Sequence, residues 1–114
     1  MTQKINKGSD LMLYLILKDA VGKQYRVADV MEFSIKFYTY DTEIFVECSK
    51  TSDGTYTNIG NNGILDFVVL NSKELNKLEN GILHYEYHLK VKNQCFDDEI
   101  YDEVIRGETN FYLG

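Results

Sequence analysis

Three side chains in one stretch have the types and spacing to act together: His84, Glu86 and His88. At i, i+2 and i+4 they share one face of a strand, with neighbours about 7 Å apart. Two imidazoles and a carboxylate are zinc-ligand types. The competing reading is a solvated strand face, and Lys90 and Lys92 continue the same polar row. We take the second reading and expect neither a metal nor any other cofactor. Asp97, Asp98 and Glu99, with Asp102 and Glu103 close by, make an acidic cluster. Calcium takes such oxygen ligands, but the EF-hand spacing is missing. A solvated acidic loop, or a contact with a basic partner, is expected there. Nucleophile patterns fail on inventory. There is no Gly-x-Ser-x-Gly, and neither Cys48 nor Cys95 stands beside a motif histidine. Gly60-Asn61-Asn62-Gly63 lacks the Gly-Lys-Ser/Thr of a phosphate loop. The sequence therefore predicts no catalytic residues and no enzyme.

Aromatic side chains are the other chemical resource. The chain has nine Tyr, six Phe and no Trp. Tyrosine and phenylalanine supply contact area at interfaces and stack on sugars. Tyr14, Tyr38, Phe45 and Tyr112 fall opposite the residues assigned to the core. With Met12 and Ile16 they are the expected contact residues. A carbohydrate-binding module using exposed tyrosines is the alternative, disfavoured by the missing Trp.

The elements that must position these groups are strands, because the dominant hydropathy period is two. Residues 11–18 read as a strand that is apolar on both faces, Leu11, Leu13, Leu15 and Leu17 opposing Met12, Tyr14 and Ile16. Such a strand needs cover on both sides. Residues 33–37 alternate cleanly, with Phe33, Ile35 and Phe37 inward. Residues 43–49 place Ile44, Val46 and Cys48 inward. Leu65, Phe67 and Val69 are expected to face the core, opposite Ile64, Asp66 and Val68. Asn71 caps a short helical crossover over 72–79, with Glu74 as capping-box partner. Residues 82–92 give the strongest alternation, with Leu83, Tyr85, Tyr87, Leu89 and Val91 inward. Two short strands, 99–105 and 109–113, surround Gly107. The sum is an all-β, antiparallel, immunoglobulin-like sandwich of about seven strands, one domain over residues 1–114.

Charge and composition bound the partners. The net charge of −6 argues against nucleic acid and against an anionic membrane surface, both of which need clustered Lys and Arg. The apolar run 11–17 is too short to span a bilayer, and Lys18-Asp19 follows it in place of a signal-peptide cleavage site. A reducing cytosol with two buried free thiols is expected.

The order of these segments resembles a known module. Ile5-Asn6-Lys7-Gly8-Ser9-Asp10 leads into an apolar strand, and Asp19-Ala20-Val21-Gly22-Lys23 makes a hairpin-like turn. Phe33-Ser34-Ile35-Lys36-Phe37-Tyr38-Thr39 follows, then Leu75-x-x-Leu78-x-x-Gly81-x-Leu83-x-Tyr85-x-Tyr87. This is similar to the immunoglobulin-like module of tailed-phage structural proteins, such as the N-terminal domain of baseplate upper proteins. It also resembles fibre-anchoring virion proteins of Bacteroidales phages, whose low-proline, Asn/Lys/Ile/Tyr-rich usage it shares. The resemblance covers most of the chain and rests on strand and turn patterns. It implies a non-enzymatic connector or decoration module in a head-fibre or tail/baseplate assembly. Such a module is made in the host bacterial cytoplasm and ends in the virion. It would bind other virion proteins non-covalently. Independently of the resemblance, a symmetric dimer could supply the cover that residues 11–17 need on both faces; the alternative is that one face packs on the opposing sheet and the other on the 72–79 helix.

Overall fold

Alternation sets the centre of the structure. The computed structural model describes residues 2–114. The strongest alternating run becomes β10 (Gly81–Lys92), with Leu83, Tyr87, Leu89 and Val91 buried and His88, Lys90 and Lys92 exposed. It pairs antiparallel with β11 (Ile100–Leu113) on one side and β5 (Glu32–Tyr38) on the other. At about 3.3 Å per residue these two long strands account for the molecule's 45 Å long axis. Beyond β5 lie β6 (Val46–Lys50) and β7 (Tyr56–Thr57). At the opposite edge β1 (Gln3–Ile5) runs parallel to β11, so this six-stranded sheet is mixed rather than antiparallel throughout. The two chain ends need no crossover between them, which removes the usual demand that parallel pairing makes on a connection.

A second, antiparallel sheet has the order β2 (Leu11–Leu15), β9 (Asp66–Leu70), β8 (Ile59–Asn61). A two-stranded ribbon, β3 (Leu17–Lys18) and β4 (Gln24–Tyr25), follows β2. Val68 and Leu70 from the small sheet meet Phe33, Ile35, Phe37, Cys48, Leu83 and Leu89 from the large one in a single buried core. The result is an all-β, sandwich-like body. Eleven strands are described where about seven were expected, and several of the additions are pieces of two or three residues.

Four local expectations are corrected. First, β9 turns the other way. Asp66, Val68 and Leu70 are buried, Phe67 is half-buried, and Leu65 and Val69 are exposed. Asp66 inverts the phase: its carboxylate goes inward and accepts hydrogen bonds from Arg26 Nε (3.0 Å), Arg26 Nη2 (3.1 Å) and the Val27 amide (2.8 Å). Second, β6 starts at Val46, and Ile44 lies exposed in the preceding turn, its amide donating to Asp41 O. Third, 100–113 is one strand. Gly107 does not break it but seats the Tyr85 ring, whose hydroxyl would lie 2.5 Å from a Cβ at that position. Fourth, the helix α1 (Ser72–Leu75) is shorter than 72–79. Asn71 Oδ1 caps it through the Glu74 amide (3.0 Å), as expected. The chain then tightens into bonds from Lys77 to Glu74 and from Leu78 to Leu75. That i+3 spacing keeps Leu75 and Leu78 on one side, both buried.

Candidate docking surface

The outer face of the small sheet is apolar. On β2, Met12 is 52% and Tyr14 55% exposed, and Ile16, just past the strand, is 63% exposed. In register with them on β9, Met12 stands opposite Val69 and Tyr14 opposite Phe67. The Tyr14 and Phe67 rings meet edge to face, 6.4 Å apart. Phe67 in turn lies across Gly60 of β8, where any Cβ would come within 2.8 Å of the ring. Ile64 and Leu65 extend the apolar surface at one end. Asp66 carries the only charge in the three strands, and it points inward. Burial alone would raise its pKa, but the Arg26 guanidinium and the Val27 amide outweigh that and hold it below the usual carboxylate range. The face therefore stays uncharged in a chain with 26% charged residues. Contiguous exposed apolar surface of this kind marks an interaction site.

Beside this face runs a groove. Three strands cover six, so the small sheet leaves part of the large sheet's inner surface without a lid. Between β2 and that uncovered surface lies a cavity of about 260 Å³, lined by Leu13, Leu15, Tyr85, Tyr87, Thr109 and Phe111 among others. Its lining carries no ionisable group except the tyrosine hydroxyls. Burial pushes the Tyr87 phenol above its ordinary pKa. That hydroxyl donates to Lys18 O (2.9 Å) and accepts from Lys18 N (3.4 Å), closing the groove at one end.

The row singled out for metal chemistry sits elsewhere, on the outer face of the large sheet. Glu86 Oε1 accepts from Arg106 Nε at 2.6 Å, while Oε2 lies 3.1 Å from His88 Nε2 and 3.5 Å from Lys36 Nζ. The His88 hydrogen bond, with Arg106 and Lys36 against an opposing effect of burial, lowers the Glu86 pKa. His84 stacks on Tyr38 with centroids 5.6 Å apart, and its Nδ1 is 4.0 Å from Glu108 Oε1. Among the described residues no group of three or more His, Cys, Asp or Glu is arranged to hold a metal ion. Cross-strand ion pairs and one ring stack account for this row. The two thiols have different surroundings. Burial, with a smaller push from Glu47, raises Cys48 to about 12, whereas Cys95 is exposed rather than buried as expected.

The six expected contact residues thus divide between two exteriors. Met12, Tyr14 and Ile16 lie on the small-sheet side. Tyr38 is half-buried against His84, Phe45 is half-buried with the Lys36 ammonium 5.2 Å from its ring centre, and Tyr112 is 39% exposed opposite Ile82. These three belong to the outer side of the large sheet. Phe67, Val69 and Ile64 are the contact residues that the sequence reading missed.

No protein-family model, curated protein or solved structure matches this chain. Among the described residues no helix is long and apolar enough to cross a membrane.

Proposed function

We propose that this chain is a non-enzymatic assembly module, an immunoglobulin-like connector or decoration domain of a tailed-phage virion, that docks through the small sheet and first of all onto a second copy of itself. The observation that carries the assembly reading is the uncharged face of Met12, Tyr14, Phe67 and Val69, laid out in register across two paired strands. Polar chemistry elsewhere supports it: the Glu86 carboxylate, the most connected acid on the opposite exterior, is already engaged by two cations and an imidazole. The virion setting rests on the strand and turn order that resembles baseplate and fibre-anchoring modules. Mass spectrometry of purified particles from a host carrying the gene tests it, and absence of the chain from those particles would remove the virion role.

Light scattering on the purified chain tests the assembly role. Association that grows with concentration is expected, and Val69→Lys, which places an ammonium in the middle of the face, should weaken it roughly tenfold or more. A wild-type chain that stays monomeric at millimolar concentration would sink the reading.

A further inference from the structure

We propose that the hairpin turn between β8 and β9 is a site of spontaneous covalent modification. Asn62 there loses ammonia to the backbone nitrogen of Gly63 and becomes a mixture of aspartate and isoaspartate, while the same reaction at Asn80 is held back by the fold.

The sequence holds Asn-Gly twice, each time followed by isoleucine: Asn62-Gly63-Ile64 and Asn80-Gly81-Ile82. A side-chain amide just before glycine is open to attack by the glycine nitrogen, because no Cβ crowds the approach. In an unfolded chain the two sites are near-equivalents, so a difference between them must come from structure. The reaction forms a bond from Gly63 N to Asn62 Cγ. The bond from Cγ to Nδ2 breaks, and that nitrogen leaves as ammonia with the proton that Gly63 N gives up. The cyclic imide left in the backbone then adds water. Opening at the former side-chain carbon gives aspartate, and opening at the main-chain carbon gives isoaspartate.

The turn prepares Asn62 for that step. Its Oδ1 accepts from the Ile64 amide at 2.9 Å and from the Leu65 amide at 2.8 Å. This oxygen takes up negative charge when Cγ is attacked, and fixed amides at such distances stabilise a developing oxyanion. The nucleophile has an acceptor as well: Gly63 N donates to Asn61 Oδ1 at 3.0 Å, an oxygen placed to draw on its proton. A Cβ on Gly63 would meet nothing within 4 Å. Residues 61–64 are exposed, so water can enter and ammonia can leave. The second site has none of this. Gly81 is buried at the start of β10, in register with Leu113, and a Cβ on it would come within 2.8 Å of the Tyr40 ring. Among the described residues, amides donate to the side chain of Asn62 but none donates to that of Asn80. Attack at Asn80 would also pull the nitrogen out of a packed strand end. The product at Asn62 sets a carboxylate in the turn that carries Ile64 and Leu65, at one end of the apolar face.

Incubation of the purified wild-type chain at mildly alkaline pH, native and in urea, followed by peptide mapping with mass spectrometry, tests this. Each conversion replaces a side-chain NH₂ by OH, and chromatography separates the isoaspartyl from the aspartyl peptide. In urea the two sites should convert at similar rates. In the folded chain Asn62 should convert roughly tenfold faster than Asn80, and faster than Asn62 itself does in urea. That last comparison separates activation by the turn from simple exposure, since exposure is greatest in urea. Asn61→Ala removes the acceptor for Gly63 N at an exposed position. It should slow conversion of Asn62 and leave that of Asn80 unchanged. Slower conversion of Asn62 in the folded chain than in urea would show that the turn protects it and would overturn the proposal. Equal conversion of the two sites in the folded chain would overturn it too, as would an Asn61→Ala chain that converts at the wild-type rate.

Discussion

Asp66 is the residue on which the small sheet depends. It is 4% exposed, and its oxygens hold the Arg26 guanidinium and the Val27 amide, tying β9 to the start of the short 3₁₀ turn Val27–Asp29. Asp66→Asn keeps one acceptor but loses the charge. The expected cost is about 2 kcal/mol, less than the ~3–5 kcal/mol of a fully buried pair, because the Arg26 side chain is 39% exposed. The pH dependence has a definite direction. The folded carboxyl titrates below the unfolded value of about 3.9, so its stabilisation is complete above that pH and is lost as pH falls through the folded pKa. Urea unfolding should therefore show a gap between wild type and Asp66→Asn at neutral pH that narrows below about pH 4. A gap that stays constant into acid would mean the charge contributes nothing. The cysteines give a second measurement at this scale. Cys48 is buried with its pKa raised to about 12, and Cys95 is exposed, so only thiolate-forming, accessible sulfur should alkylate. Native protein at neutral pH should take up one iodoacetamide label, on Cys95, and urea-unfolded protein two. Rapid native labelling of Cys48 would contradict the packing around β6.

Elements differ in how much of them the sequence displays, and the reason is the second face. β10 and β5 are legible because one side is polar: His84, Glu86, His88 and Lys90 leave no doubt about which side faces out. β9 offers apolar residues on both parities, and its single charge gives the wrong answer because the partner that buries it, Arg26, lies 40 residues away in sequence. The contact face was half legible for the same reason. Met12, Tyr14 and Ile16 were expected outside, but Phe67 and Val69 become visible only once β2 and β9 are in register. Gly107 misleads in another way. It resembles a break, yet the long strand needs it bare so that Tyr85 can lie across it and stack on Tyr87, 6.1 Å away. Gly107→Val should thus destabilise the fold by about 1–3 kcal/mol through overpacking, despite valine's preference for strands, as thermal denaturation would show. An increase in stability would mean that Tyr85 moves freely. The α1 cap was readable because Asn71 and Glu74 are local to each other. Asn71→Ala should cost about 1 kcal/mol, since the Glu74 amide loses its side-chain acceptor and keeps only the Asn71 carbonyl at 3.1 Å, while Asp10 still accepts from Ser72 N.

At the scale of the whole molecule, two properties pull association in opposite directions. The chain carries a net charge of −6, which makes any two copies repel. The surface proposed to join them is uncharged, so nothing local offsets that repulsion electrostatically. Attraction must come from apolar burial, which salt does not screen, whereas the repulsion acts across distances comparable to the ~8–10 Å Debye length at physiological ionic strength. Added sodium chloride should therefore tighten self-association, and sulfate should tighten it further by strengthening apolar burial. The other exterior predicts the reverse. Docking through the Glu86, Arg106, Lys36 and His88 row would trade ion pairs between copies and weaken with salt. Sedimentation velocity across a salt series separates the two by the sign of one slope. Dissociation on adding salt would move the interface to the large sheet, and the apolar face of β2 and β9 would then need a different partner.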